Sequence, residues 1–217
     1  MKVKSGKFLV FGAVLAVSVS LAGIARADSV SGSVWENSTS YPNNLSTTLP
    51  AVPVSATFTL SSPTGVFNLN SNGSTDYTLY SFLHSGNDAV AISYMNGAGA
   101  GDSINDDTFQ FTGTTYLVSG TTYTLTKDDA AFLSLNGGPN VLGASSLIDT
   151  AASDVTFSVG TTGYYSFDLL YQEVNGPPAV LSGNIGTTTV TPEPGSIFLL
   201  GSGLLALAGL VRRTITA

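Results

Sequence analysis

Hydrophobic and polar residues alternate along much of the chain between residues 28 and 191. The clearest face combines four alternate positions: Tyr165, Phe167, Leu169 and Tyr171. The same period of two runs through 54–60, 109–111, 123–125 and 155–159. This period is typical of β-strands, because successive side chains of a strand point to opposite faces. The pattern therefore predicts many short strands.

Clusters of Gly, Asn and Pro separate these strands, and no long stretch has helical spacing. Short alternating strands with turn signals between them predict an all-β fold, an antiparallel β-sandwich or barrel. Two of the strands, 109–118 and 121–127, are predicted to form a hairpin that turns at Ser119 and Gly120. The 164 residues from 28 to 191 are the size of one domain.

The N-terminal segment has the three parts of a secretory signal peptide. Its basic start holds Lys2, Lys4 and Lys7, an apolar run covers 8–24, and Ala25-Arg26-Ala27 precedes Asp28. Signal peptides need this order of basic, apolar and small residues. We therefore expect residues 1–27 to be removed, with Ala25 and Ala27 before the cleavage point and Asp28 after it. A permanent membrane anchor is the alternative.

The C-terminal segment, 191–217, also has three parts. Pro192-Glu193-Pro194 comes first, fifteen uncharged residues fill 197–211, and Arg212 and Arg213 follow. At about 1.5 Å per residue, this stretch is short for the roughly 30 Å hydrocarbon core. The arginines would stay on the cytoplasmic side, so a short transmembrane helix would tether an exported domain that faces outwards.

Residues 192–213 resemble the PEP-CTERM sorting signal of Gram-negative bacteria, which combines a Pro-Glu-Pro motif, a short transmembrane segment and a basic tail. The resemblance implies that an exosortase recognises and cleaves the chain. It also implies release or attachment at the outer surface, in a biofilm or other exopolysaccharide matrix. An ordinary tail anchor with a chance Pro-Glu-Pro is the alternative. The predicted organisation is thus a signal peptide at 1–27, a β-sandwich domain at 28–190 and a sorting signal at 191–217.

The charge of the chain is distributed unevenly. Thirteen of the fourteen acidic residues lie between 28 and 191 with a single basic residue, Lys127, so this part has a net charge of −12. Such a charge repels nucleic acid and anionic lipid, and it suits cations or neutral polar ligands. The chain has no cysteine, which excludes disulfides, Cys-ligated metals and a cysteine nucleophile.

Residues suited to catalysis are scarce. The single histidine, His84, lies in a Ser-, Gly- and Asn-rich stretch that is typical of an exposed turn. No Gly-x-Ser-x-Gly nucleophile motif occurs in residues 28–191. We therefore predict no catalytic residues and no enzyme activity, and a secreted hydrolase is the least favoured alternative.

Two pairs of adjacent aspartates are the candidate binding residues. Asp128-Asp129 follows the predicted strand 121–127 and precedes another at 131–135. Neighbouring carboxylates concentrate negative charge and oxygen ligands, as Ca²⁺ requires. Aspartate is also common in turns, so two solvated or turn-capping side chains are an open alternative. The other pair, Asp106-Asp107, is predicted to lie in a solvated loop.

The segment 120–138 resembles the central motif of PA14-type domains, in which a strand leads to Asp-Asp-Gly and then to a second strand. The likeness extends over about residues 30–185 and implies a β-sandwich or barrel. In lectin-like adhesins of this family, the Asp-Asp pair is joined by a cis peptide and holds a Ca²⁺ that sugar hydroxyls also ligate. Asp128 and Asp129 match the pair, whereas Ala130 replaces the usual glycine. Asn175, in the loop after the last long strand, is the candidate for a further ligand.

Four aromatic residues are candidates for stacking on sugar rings: Trp35, Tyr41, Tyr94 and Tyr116. Trp35 lies in an alternating stretch, which favours a core position for it. Together these features predict an exported surface or matrix protein with an adhesion or carbohydrate-binding domain, dependent on Ca²⁺ if the aspartate pair binds it. The alternative is a structural, glycosylated matrix or envelope protein without a ligand site.

Overall fold

The computed structural model describes residues 29–38, 48–61, 67–71, 77–86, 89–148, 151–174, 176–185 and 202–203. Within these residues, ten strands form two antiparallel sheets. The strands are β1 (Ser29–Trp35), β2 (Ala56–Ser61), β3 (Phe67–Ser71), β4 (Ala89–Tyr94), β5 (Asp107–Leu117), β6 (Tyr123–Asp128), β7 (Ala130–Leu135), β8 (Ser153–Phe157), β9 (Gly163–Glu173) and β10 (Ala179–Gly183). All ten lie in one compact unit, Ala27–Thr189.

Six strands form the larger sheet in the order β4-β2-β1-β5-β9-β7, and four form the smaller sheet in the order β3-β10-β6-β8. The longest pairing joins β5 to β9 in register from Asp107↔Glu173 to Leu117↔Gly163. Alternate residues of both sheets point inwards because side chains alternate along each strand. Phe109 and Leu169 from the larger sheet and Leu125 and Leu181 from the smaller sheet therefore belong to one buried core.

The shared core confirms the prediction of an all-β antiparallel sandwich. Trp35 is buried with 5% of its surface exposed, as its alternating stretch predicted. The predicted strands at 54–60, 123–125 and 165–171 correspond to β2, β6 and β9. Local alternation was thus sufficient to locate these strands.

The predicted hairpin between residues 109–118 and 121–127 is wrong. The chain does turn after Val118, where the Thr121 amide donates to the Val118 carbonyl at 3.2 Å. The two strands then separate, because β5 pairs with β1 and β9 while β6 pairs with β8 and β10. The turn therefore leads from one sheet of the sandwich to the other.

Two short helices interrupt the strands, and the sequence pattern predicted neither. They are α1 (Leu79–His84) and a 3₁₀ turn at Ala144–Leu147. Thr78 caps α1 by accepting a hydrogen bond from the Ser81 amide at 3.2 Å. His84, predicted to lie in an exposed turn, is instead the last residue of α1 and stacks on Tyr80 with ring centroids 3.9 Å apart.

The predicted sorting segments fall mostly outside the described residues. These include the cleavage residues Ala25, Ala27 and Asp28 and the motif residues Pro192, Glu193, Pro194, Arg212 and Arg213. In the described part of the chain, no helix has the length and hydropathy of a membrane span.

Candidate functional site

The aspartate pair lies where the chain passes from the smaller sheet to the larger one. β6 ends at Asp128 and β7 begins at Ala130, so Asp129 is the single residue between them. This arrangement confirms the two predicted flanking strands. The peptide bond between Asp128 and Asp129 is cis, as the resemblance to PA14-type domains implied.

Both side chains of the pair are buried. Asp128 is 6% exposed and Asp129 is 4% exposed. This burial contradicts the alternative in which the two side chains are solvated. A buried carboxylate requires hydrogen bonds or a nearby positive charge, because transfer out of water penalises its charged form.

The Asp129 carboxylate is held against the end of β9. Its Oδ2 accepts a hydrogen bond from the Val174 amide at 2.6 Å. Val174 immediately precedes Asn175 in the chain, so the contact joins Asp129 to the neighbour of the predicted ligand. Asn175 itself lies outside the described residues, so its predicted role as a ligand stays a prediction.

Lys127 is the only basic residue in the part of the chain that the structure describes, and it lies beside the pair. It is buried, and its Nζ donates to the Asp129 carbonyl at 2.5 Å and to the Ile148 carbonyl at 3.0 Å. These contacts orient the ammonium group towards one backbone oxygen of the crossover and one that follows the 3₁₀ turn. Lys127 therefore fixes the backbone around Asp129 as well as contributing positive charge.

A third acid, Glu173, completes the buried polar cluster. It is fully buried at the end of β9 and accepts a hydrogen bond from the Tyr77 hydroxyl on its Oε1 at 2.7 Å. The Tyr171 hydroxyl lies within hydrogen-bond range of both the Asp128 carbonyl and Glu173 Oε2. That hydroxyl carries one proton and the carbonyl only accepts. A proton on Glu173 satisfies both contacts.

The electrostatics agree with a neutral Glu173. Burial is the main cause that raises the pKa of Glu173 to about 10, and the charges of Asp129 and Asp128 raise it further. The two tyrosine hydroxyls act in the opposite direction. Burial and the negative charge of Glu173 also raise the pKa of Tyr171. Glu173 is thus a neutral acid near pH 7. The Tyr171 hydroxyl links it to the Asp128 carbonyl.

The sequence did not single out Glu173 or Tyr77, although it contained a signal for the first. Glu173 continues the inward face that begins with Phe167, Leu169 and Tyr171, because it lies two residues beyond the last of them. An acidic residue at a strand position that points into the core indicates a structural or functional role. Tyr77 had no such signal, since 96 positions separate it from Glu173 in the chain.

The second aspartate pair does not form the solvated loop that was predicted. Asp107 begins β5 and has no exposed surface. Its residue partner across the sheet is Glu173, so the two predicted acid pairs lie at the same end of the larger sheet. The sequence could not show this, because the pairing of β5 with β9 determines it.

The candidate stacking residues do not form one surface. Trp35 is buried, Tyr94 is half-buried, and Tyr41 lies outside the described residues. Tyr116 packs edge-to-face on Tyr164 with centroids 5.1 Å apart, and Tyr164 is 66% exposed. This tyrosine pair lies on β5 and β9 at the end opposite to Asp107 and Glu173.

The carboxylate oxygens of the aspartate pair suit a hard cation in kind, because Ca²⁺ prefers oxygen ligands. Among the described residues, however, no group of three His, Cys, Asp or Glu side chains is placed to hold a metal ion. A cation at Asp128 and Asp129 would therefore depend on backbone or amide oxygens, water or a ligand for its remaining coordination positions.

Residues 190–213 match the PEP-CTERM protein-sorting motif. This motif indicates an exported protein that an exosortase processes and sorts to the surface. No curated protein matches the chain significantly.

The solved structures that are similar to the chain include two PA14 domains. One is the PA14 domain of the MpAFP antifreeze protein, with 20% identity, a TM-score of 0.47 and coverage of 70% of this chain and 78% of that one. The other is a PA14 sugar-binding domain from an RTX adhesin, with 17% identity, a TM-score of 0.45 and coverage of 75% and 99%. Both are PA14 domains, the family that segment 120–138 resembles.

Proposed function

We propose that this exported protein acts at the cell surface or in the extracellular matrix, where its β-sandwich binds glycans through a Ca²⁺ held by Asp128 and Asp129. The observation that carries the proposal is the burial of two adjacent carboxylates at the crossover between the sheets. A divalent cation would compensate the charge that this burial concentrates.

The side chains around the pair would supply only some of the ligands that a bound cation needs. Ca²⁺ takes six to eight oxygen ligands. Asp128 and Asp129 supply a minority of these, and Glu173 is engaged by Tyr77 and Tyr171. Open positions on a bound Ca²⁺ would accept vicinal hydroxyls, which sugars present and most other extracellular ligands lack.

The segment after β9 is the natural source of a further protein ligand. Val174 already contacts the Asp129 carboxylate through its amide. Asn175 is the next residue, and its side-chain carbonyl is a suitable hard oxygen donor. We therefore retain Asn175 as a proposed ligand together with the aspartate pair.

The charge of the domain restricts the class of glycan. A net charge of −12 over residues 28–191 opposes the approach of anionic polymers. Neutral sugars, or a neutral exopolysaccharide, therefore suit the site better than uronic-acid or sulfated polymers. Nucleic acid is excluded on the same ground.

The proposal is tested by glycan-array binding of the exported protein in Ca²⁺ and again in chelator. We expect binding of neutral glycans in Ca²⁺ that chelator abolishes and that the double variant Asp128→Asn/Asp129→Asn lacks. The matched control is Asp154→Asn, which removes one exposed carboxylate that accepts from Thr126 Oγ1 at 2.6 Å. Glycan binding that survives chelator and the double substitution would refute the proposal.

The alternative function, a structural and glycosylated matrix protein, has one observation in its favour. Ser and Thr side chains line a shallow concavity on the outer face of β4, β2, β1 and β5: Ser31, Ser33, Thr57, Thr59, Ser93 and Thr112. Hydroxyls at such density provide acceptors for O-linked glycans. Intact-mass measurement of the exported protein, followed by peptide mapping, decides this point, because O-glycosylation adds sugar mass increments and the modified peptides show whether they lie on these residues.

A further inference from the structure

We propose that Tyr116 and Tyr164 form an oxidative cross-linking site, where a one-electron oxidant, peroxide with a haem peroxidase, joins the two phenol rings as dityrosine. The two residues are partners across β5 and β9, next to the last residue pair of that pairing, Leu117↔Gly163. The inference does not rest on the proposed binding of glycans or Ca²⁺.

The strand pairing holds the two rings in contact. Tyr116 and Tyr164 lie directly opposite each other in the register, so their side chains leave the same face of the sheet. Their ring centroids are 5.1 Å apart and their ring planes meet at 68°, so the edge of one ring packs against the other. Carbon atoms of the two phenols are therefore already in van der Waals contact, which is the approach that a carbon–carbon bond between them requires.

An oxidant in solution can reach the pair. Tyr164 is 66% exposed, the highest value among the large hydrophobic side chains that the structure describes, and Tyr116 is half-buried. Tyr77 and Tyr171, in contrast, are buried and contact Glu173 through their hydroxyls. Oxidation should therefore begin at Tyr164, which has a second phenol ring in contact with it.

The side chains that compete best for an oxidant lie far from the pair. The chain has no cysteine, and its one tryptophan, Trp35, is buried and pairs with the start of β5, whereas Tyr116 is near the end of that strand. Met95, the only methionine within residues 28–191, follows β4 at the same end of the larger sheet as Trp35. A radical on Tyr164 therefore meets a phenol before it meets a sulfur atom or an indole.

The reaction balances without any group held by the protein. Each phenol gives one electron to the oxidant and its hydroxyl proton to water, which leaves a radical shared between the oxygen and the ring carbons, including Cε. A bond forms between one Cε of Tyr116 and one Cε of Tyr164, and the hydrogen on each of these carbons moves to the phenol oxygen. One molecule of hydrogen peroxide accepts the two electrons and two protons and becomes two molecules of water.

A bond at this position would stabilise the folded domain. It closes the loop formed by residues 117–163, and a covalent link stabilises a fold mainly by restricting the unfolded chain, more so for a long loop. The chain cannot use disulfides for this purpose because it has no cysteine. Dityrosine would therefore give this exported domain the covalent link that its composition otherwise excludes.

Intact-mass and fluorescence measurements on the full chain test the proposal, before and after treatment with haem peroxidase and hydrogen peroxide at low protein concentration. We expect dityrosine fluorescence in the monomer and a mass that is lower by two hydrogen atoms. Peptide mapping should place the link between Tyr116 and Tyr164. The melting temperature of the cross-linked chain should be higher than that of the untreated chain.

Phenylalanine variants assign the link to the pair. Tyr116→Phe and Tyr164→Phe should each lose the fluorescence, the mass change and the rise in melting temperature, because phenylalanine has no hydroxyl to oxidise. Two matched controls should keep all three. Tyr165→Phe changes the next residue, which packs against the core, and Tyr80→Phe changes a residue that is 48% exposed but stacks on His84.

Untreated variants check that the fold is intact. Tyr116→Phe and Tyr164→Phe keep both rings, so each should melt close to the untreated wild type. Any of three results would overturn the proposal: no dityrosine in the treated wild-type monomer, dityrosine that persists in both variants, or cross-links found only between chains, as dimers on a denaturing gel.

Discussion

Phe58 and Phe111 meet edge-to-face over Gly32, with ring centroids 5.2 Å apart and an interplanar angle of 65°. Gly32 is the residue partner of both, because β1 lies between β2 and β5. A Cβ atom on Gly32 would lie 2.1 Å from Cζ of Phe58 and 2.5 Å from the Gln110 carbonyl oxygen. The aromatic contact at the centre of the larger sheet therefore needs a residue without a side chain.

Substitution of Gly32 by Ala should destabilise the domain. The added methyl group must displace the Phe58 ring or the β5 backbone, and overpacking of this kind costs about 1–3 kcal/mol. Urea unfolding measures the loss. The matched control is Gly160→Ala, because a Cβ there meets no atom within 4 Å. Equal unfolding midpoints for the two variants would contradict the packing argument.

Loss of the Tyr77 hydroxyl should also destabilise the fold. Tyr77→Phe leaves Glu173 Oε1 buried without its donor, and an unsatisfied buried acceptor costs about 1–3 kcal/mol. Tyr164→Phe is the control, since Tyr164 is 66% exposed and its substitution should change stability by less than about 0.5 kcal/mol. A Tyr77→Phe variant as stable as this control would mean that the hydrogen bond contributes nothing.

Loss of the Tyr94 hydroxyl should have the opposite effect on stability. Its hydroxyl is buried and has no hydrogen-bond partner among the described residues, so Tyr94→Phe should be neutral or stabilise the fold by up to about 1 kcal/mol. Burial, followed by the charges of Tyr80 and Asp102, raises the pKa of Tyr94 above its ordinary value of 10.0. Wild-type stability should therefore fall as the pH rises above the pKa of the unfolded tyrosine.

The phenylalanine variant lacks this ionisable group and should lose less stability at alkaline pH. Denaturant unfolding of both proteins on either side of pH 10, the ordinary tyrosine value, measures the difference. A steeper alkaline loss in Tyr94→Phe than in the wild type would contradict the assigned direction of the pKa shift.

Removal of Ca²⁺ should lower the melting temperature of the protein. A ligand at a hundred times its Kd stabilises the folded state by about 2.7 kcal/mol for each site that binds only the folded chain. Asp128→Asn/Asp129→Asn should lose this response to Ca²⁺. Differential scanning calorimetry with and without chelator measures each step. A melting temperature that chelator leaves unchanged, in the wild type as well as in the double variant, would exclude calcium at the aspartate pair.

Mass spectrometry of the protein from its own host should show two new termini. The sorting motif at 190–213 predicts cleavage near Pro194, and the signal peptide predicts a chain that starts at Asp28. The measured mass then gives both positions together with any glycosylation. Recovery of a surface protein with an intact C-terminal peptide beyond Pro194 would contradict exosortase processing.

Several features could be predicted from the sequence because they depend on neighbouring residues alone. Alternation located β2, β6 and β9, since each strand needs only a period of two. The sorting motif is likewise contiguous, with its Pro-Glu-Pro, apolar and basic parts in order. The adjacent aspartates Asp128 and Asp129 could be placed at a junction because strand patterns flank them.

The tertiary structure alone decided which strands became neighbours. β5 and β6 are joined by a short turn, yet they lie in different sheets, where β5 pairs with β1 and β9 and β6 pairs with β8 and β10. A local pattern specifies a strand and its inward face, whereas its partner depends on contacts with distant parts of the chain.

The difference between local pattern and strand pairing also explains why the burial of the acidic residues could not be predicted. Asp106 and Asp107 look like loop residues in the sequence, but pairing of β5 with β9 buries Asp107 beside Glu173. Tyr77 reaches Glu173 across 96 positions. The sequence by itself determined an exported all-β chain with concentrated negative charge, and only the folded sheets decided which carboxylates are withdrawn from water.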